Sequence, residues 1–204
     1  IRWKLVQATL QAADLEASLK ELHNLLRIDP GHANARLLLG RLYLSGARRG
    51  EAVRVAKDLT LSLPDHPSGY LLEGELAVQS GDFREAIRQF ERAHDCDASL
   101  LQPILAAANV SLLLQDYARA AQWYQQALDS HPESVDVHIA RGNYFFAVGD
   151  EAKADREFEW ARTLGLESEA AGLGIVVQHV ARGRQEHAIR ELQALTGEMT
   201  SREG

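Results

Sequence analysis

Small, apolar and aromatic residues recur along this chain at a constant stride. Gly74, Ala86, Phe90 and Ala93 return as Ala108, Ala120, Tyr124 and Ala127, each 34 positions on (108 − 74, 120 − 86, 124 − 90, 127 − 93). Spacings of four and three put Ala86, Phe90 and Ala93 on one helical face. The triplets Gly81-Asp82-Phe83 and Gln115-Asp116-Tyr117 mark a turn before each of these helices. A fixed period of this length predicts a helical hairpin stacked many times over.

The stride extends outward without insertion or deletion. One column reads Ser18, Ala52, Ala86, Ala120, Ala154, Ala188, and an earlier small one reads Val6, Gly40, Gly74, Ala108, Gly142, Val176. The large column reads Leu22, Ala56, Phe90, Tyr124, Phe158, Leu192, and the terminators are Pro30, Pro64, Ala98, Pro132, Leu166, Thr200. Helices are expected over Arg2–Ala12, Leu15–Arg27, Ala33–Ser45, Gly50–Leu61 and Tyr117–Ser130, with Pro67 at a helix start, where its missing N–H costs least. Small residues at positions 40, 74, 108 and 142 let paired backbones approach, and the large column fills the neighbouring gap.

On these columns the chain resembles the tetratricopeptide repeat family. The resemblance implies an all-α fold, a right-handed α-α superhelical solenoid of about six helix-turn-helix repeats. It implies one array over 1–204, with repeats at about 1–32, 33–66, 67–100, 101–134, 135–168 and 169–202. The chain departs from the pattern at Val6, Val176, Ala56, Ala98 and Leu166.

With 46% hydrophobic residues among 204, the chain can bury a substantial core, and no run approaches the roughly 20 apolar residues of a membrane-spanning helix. A net charge of −7 argues against a reader of nucleic-acid phosphates, which needs a basic face. Cys96 is the single cysteine, so no internal disulfide forms, and both the cytoplasm and the periplasm stay open. Starting at Ile1 without Met, the sequence reads as a piece of a longer protein that carries any signal or anchor. No extra capping helix is evident after Leu195, so self-association through uncapped ends, or further repeats, is expected.

Repeat scaffolds act through surface rows. The resemblance places the first helix of each pair on a concave face, where a polar column reads Gln7, Arg41, Glu75, Asn109, Asn143, then Val177. Four residues earlier stand Leu37, Leu71, Leu105 and Ile139, and three residues later Leu44, Val78, Leu112 and Phe146. These offsets share a helical face. The expected site is a polar ladder between two apolar rows, suited to a partner peptide or protein segment whose backbone the Asn109 and Asn143 amides can bond. Some family members clamp a chaperone's C-terminal carboxylate with Lys, Asn and Arg. Leu37, Leu38, Leu71, Leu72, Gln102 and Ala106 lack that set, which disfavours this partner.

No catalytic residue, metal site or cofactor is expected. The eight His residues form no HExxH, there is no Gly-rich phosphate loop, and Cys96 stands between Asp95 and Asp97, where a thiolate is disfavoured. The expected function is a protein-interaction scaffold; a structural spacer of a larger protein is the alternative. The run Pro64–Gly81 also resembles repeats of bacterial proteins of exopolysaccharide export and envelope assembly, which implies a place in such an assembly.

Overall fold

The structure is a computed structural model that describes residues 2–11, 14–165 and 169–202. Among the described residues there is no strand. The helices are α1 (Arg2–Gln11), α2 (Leu15–Ile28), α3 (Ala33–Ser45), α4 (Arg49–Ser62), α5 (Pro67–Gln79), α6 (Phe83–Cys96), α7 (Leu101–Leu113), α8 (Tyr117–Ser130), α9 (Val135–Ala147), α10 (Glu151–Leu164), α11 (Glu169–Ala181) and α12 (Gln185–Arg202). The terminators expected at Leu166 and the end of the first helix at Ala12 lie outside the described residues.

Packing divides the chain into two compact units, Ile1–Val110 and Ser111–Gly204. In the first unit α1 packs on α2, α3 on α4 and α5 on α6, while α2 meets α3, α4 meets α5, and the first helices α3 and α5 touch. In the second unit the pairs are α9 with α10 and α11 with α12, joined by contacts of α8 with α9, α10 with α11, and α9 with α11. Each unit is therefore a stack of helical hairpins.

Among the described residues one turn recurs five times between paired helices. Ala47, Gly81, Gln115, Gly149 and Gly183, one stride apart, all take positive φ (57°, 76°, 58°, 83° and 68°). The following N–H bonds back to a carbonyl five residues earlier, as in Asp82 to Ala77 at 2.9 Å and Asp150 to Phe145 at 2.9 Å. This left-handed closure satisfies carbonyls that the helix end would otherwise leave bare. The next residue then caps the second helix. Asp14, Asp82, Asp116 and Asp150 each accept from the backbone N–H three residues on, at 2.9 to 3.1 Å. Arg48 occupies the same place at α4 and makes no such side-chain cap.

The core follows the columns. Ser18, Ala52, Ala86, Ala120 and Ala154 are wholly buried. A Cβ built at Gly74 would enter the Phe90 ring, and one at Gly142 would lie 2.5 Å from the Phe158 ring. The glycines thus make room for the aromatic residue of the same hairpin. The second hairpin has Ala56 at the aromatic place, and there Leu72, from the next hairpin, covers Gly40. Repeat six departs from the expected columns. Leu192 is 41% exposed, and Leu195 instead packs where a Cβ at Gly172 would sit. Val176, itself buried, already occupies the slot that a small residue leaves open in the middle repeats.

Candidate functional site

The first-helix columns do not all lie at the surface. Arg41 and Glu75 are half-buried and pair with each other: Nε of Arg41 is 2.9 Å from Oε1 and 3.1 Å from Oε2 of Glu75, and Nη2 is 2.5 Å from Oε1. Equivalent positions on α3 and α5 are therefore neighbours. Asn109 is exposed and belongs to the first unit. In the second unit Asn143 is half-buried, with its carboxamide oxygen shut off from solvent and accepting no hydrogen bond.

The apolar rows divide by burial. Leu37 and Leu71 are 7% and 3% exposed, so they belong to the packed interior of the first unit rather than to an open wall. Consecutive first helices pack directly on each other there, and that contact consumes the row. Leu44, Val78, Leu105 and Leu112 are half-buried. Ile139 and Phe146 pack against the buried cluster Ala154, Phe158 and Ile175. On α11 the same columns supply Leu173, Val177 and Val180, exposed by 44%, 61% and 59%.

Phe146 has a further neighbour that the periodicity does not signal. The Arg182 guanidinium stands 4.2 Å from the Phe146 ring centroid and 4.5 Å from that of Phe158. Its side chain is 1% exposed, its Nε and both Nη atoms have no hydrogen-bond partner, and the Asp155 carboxylate lies 3.6 Å away. Burial draws the group below its ordinary value. Two aromatic faces thus hold a largely desolvated cation, a favourable contact where water is excluded.

A second polar network sits at the base of α9. His138 places Nδ1 2.8 Å from Glu157 Oε2 and Nε2 2.9 Å from the Pro132 carbonyl, while Arg141 reaches Glu157 Oε1 at 3.0 Å. Tyr70, two strides earlier, makes the equivalent contact by donating to the Pro64 carbonyl at 2.9 Å. Both side chains anchor the connector before their helix, and neither faces an activated nucleophile.

Burial, then Asp65 and Asp95, pushes the Cys96 thiol up, away from a reactive thiolate. Burial likewise pushes the Tyr124 phenol up, against the Tyr144 ring at 5.4 Å. His179 and His187 approach with ring centroids 5.4 Å apart, beside Asp155, Glu159 and Glu191 in a cleft of about 220 Å³. Among the described residues no group of three or more His, Cys, Asp or Glu side chains is arranged to hold a metal ion. The turn Gly46-Ala47-Arg48-Arg49-Gly50 is held by its two arginines. Arg48 pairs with Glu51 at 3.0 Å and covers the Tyr43 ring, and Arg49 donates to the Leu76 carbonyl and Gln79.

Comparison with known proteins agrees with the hairpin geometry. Tetratricopeptide repeat profiles match residues 9–76 and 105–159. The chain belongs to the tetratricopeptide repeat family. It is similar to tetratricopeptide repeat protein 16 of Macaca fascicularis, 23% identical over 195 residues, 82% of this chain and 22% of that protein. The Homo sapiens protein of the same name is 24% identical over 178 residues and is matched over 20% of its length. The chain thus spans about a fifth of these relatives. Among solved structures, TTC0263, a thermophilic repeat protein of Thermus thermophilus, superposes with a TM-score of 0.73 at 17% identity, over 93% of this chain and 99% of that one. The Cut9–Hcn1 complex of APC/C gives 0.71 at 15% identity, over 94% of this chain and 37% of that one. MamA gives 0.59 at 15% identity, over 80% and 95%. These likenesses establish the fold, and tetratricopeptide repeat proteins are in general scaffolds for protein interaction. No described helix is long and apolar enough to cross a membrane.

Proposed function

We propose that the chain binds a segment of a partner protein along the polar column of its first helices. The reading is supported by the Arg41–Glu75 pair, which brings two successive column positions of the first unit side by side. Asn109 then offers an exposed amide. Asn143 carries a buried acceptor that lacks a donor, an unmet bond that a partner's backbone N–H would satisfy once the amide turned outward. In the first unit the half-buried Leu44, Val78 and Leu105 flank this column, and in the second unit Leu112 and the exposed α11 residues Leu173, Val177 and Val180 do. A place in a bacterial envelope or exopolysaccharide-export assembly is a finer form of this proposal and rests on the Pro64–Gly81 resemblance alone.

The spacer reading is favoured by one observation, the exposed Ile189 on α12 (53%), a second helix outside the column. Affinity capture separates the two readings. Replacing both Asn109 and Asn143 by Ala is expected to remove partners that the wild type retains. Equal partner sets from the double variant and the wild type, with partners lost from Ile189→Glu, would favour the spacer.

A further inference from the structure

The second hairpin differs from its neighbours at one place. Where the third and fifth hairpins carry Phe90 and Phe158, it carries Ala56. Leu72 makes up the loss over Gly40, yet a cleft of about 190 Å³ remains against Ala56, between α4, α5 and α6. Val53, Ala56 and Leu76 form its apolar walls.

Its polar lining is Lys57, Glu73, Glu85 and Gln89. Glu85 is already engaged, since the Arg88 guanidinium donates to its Oε2, which leaves Glu73 and Gln89 as the acceptors short of donors. Gln89 is 8% exposed, and its Nε2 donates to Glu85 Oε1 at 2.6 Å. A carboxylate only accepts, so this bond fixes the amide orientation and leaves Gln89 Oε1 as the other end. That oxygen is buried and has no donor. Glu73 receives one hydrogen bond, from Thr60 Oγ1 at 3.2 Å, and burial holds its carboxyl above the ordinary range. A buried carbonyl without a donor and a carboxylate short of donors are both costly in the isolated chain.

We propose that this cleft receives one arginine side chain of a partner protein. The open acceptors, Glu73 on α5 and Gln89 Oε1 on α6, face the cleft from two helices, which a forked, planar guanidinium meets better than a compact ammonium. Its weakly hydrated faces also suit the apolar walls. Lys57 stands exposed at the rim and, like Arg92, acts on Glu73 through charge alone, while Glu85 is paired with Arg88. The site lies on the second helices and the back of α5, apart from the polar column, so it adds a side-chain anchor to a scaffold and does not depend on the column being occupied.

Titration of the full chain with three capped tripeptides, glycine flanking arginine, lysine or norleucine, tests this. The readout is the Gln89 side-chain carboxamide resonance. The arginine peptide is expected to shift it saturably. The lysine peptide should bind several-fold more weakly, and the norleucine peptide should not reach saturation. Glu73→Gln should weaken the arginine peptide about tenfold, as expected for losing a charged hydrogen-bond partner. Gln89→Leu, followed instead on the Ala56 backbone amide resonance, should weaken it to a similar degree in a protein whose melting temperature is unchanged or raised. No saturable shift with arginine, equal binding of norleucine, or tighter binding of lysine would each overturn the assignment, and all three are read on the wild-type chain.

Discussion

Arg41 of α3 and Glu75 of α5 form a two-pronged ion pair across one repeat stride, with three N···O contacts of 2.5 to 3.1 Å. The pair ties together the two first helices on which the proposed strip is built. Its side chains are 32% and 26% exposed, so water screens much of the attraction. A double-mutant cycle with Arg41→Ala and Glu75→Ala should give a coupling of roughly 0.5–1 kcal/mol, falling with added salt. A coupling indistinguishable from zero at low salt would show that the two helices are held without it.

The repeated left-handed turn sets a test of local strain. Ala47 and Gln115 hold φ of 57° and 58°, where a side chain costs about 1–2 kcal/mol relative to glycine. Part of that is offset by the greater freedom of glycine in the unfolded chain. Ala47→Gly and Gln115→Gly should each raise stability by about 0.5–1 kcal/mol in chemical denaturation. Gly81→Ala, at φ 76°, should lower it. Destabilisation by both glycine substitutions would contradict the turn geometry.

Close packing at Gly74 is the next. Alanine is the better helix former by about 1 kcal/mol, so on propensity alone Gly74→Ala would stabilise. The added Cβ meets the Phe90 ring, and overpacking of this kind costs about 1–3 kcal/mol. Thermal melts should show a net loss, partly recovered in the Gly74→Ala, Phe90→Leu double variant. A Gly74→Ala protein as stable as the wild type would remove the ring from that position.

Acid should expose the His179 environment. Burial first, then His187 and Arg182, holds the His179 ring below its ordinary 6.5. A group depressed in the folded state contributes stability that is present above its unfolded value and lost as pH falls. From pH 7 to pH 5 the wild type should therefore lose more stability than His179→Gln. Parallel stability curves for the two proteins would count against a buried, neutral ring.

Much of this architecture is legible in the chain because its punctuation is local. The expected bounds Ala33–Ser45 and Tyr117–Ser130 are those of α3 and α8. They are set by a proline connector, a left-handed turn and an Asp cap, all within a few residues of the helix ends. The alanine and glycine columns are legible for the same reason, since each repeats at one stride. What the stride does not encode is contact made across it. Leu72 covering Gly40 in place of a residue at 56 links two hairpins, and no column predicts it. Leu37 and Leu71 share a helical face with the polar column, yet helix-on-helix packing buries them. Arg182 lies in a turn that reads as polar and exposed, but its side chain folds between Phe146 and Phe158. An arginine one residue before the turn glycine Gly183 was the available signal, and periodicity gives it no weight.

Partners are expected to lie against the first helices, and a site-specific photo-crosslinker reads this position by position. Asn109 and Val177 are exposed positions of the polar column, whereas Gln122 of α8 and Arg156 of α10 are exposed positions of second helices. With a crosslinking residue at each in turn, partner adducts are expected from 109 and 177 and not from 122 and 156. Adducts confined to 122 and 156 would contradict the account.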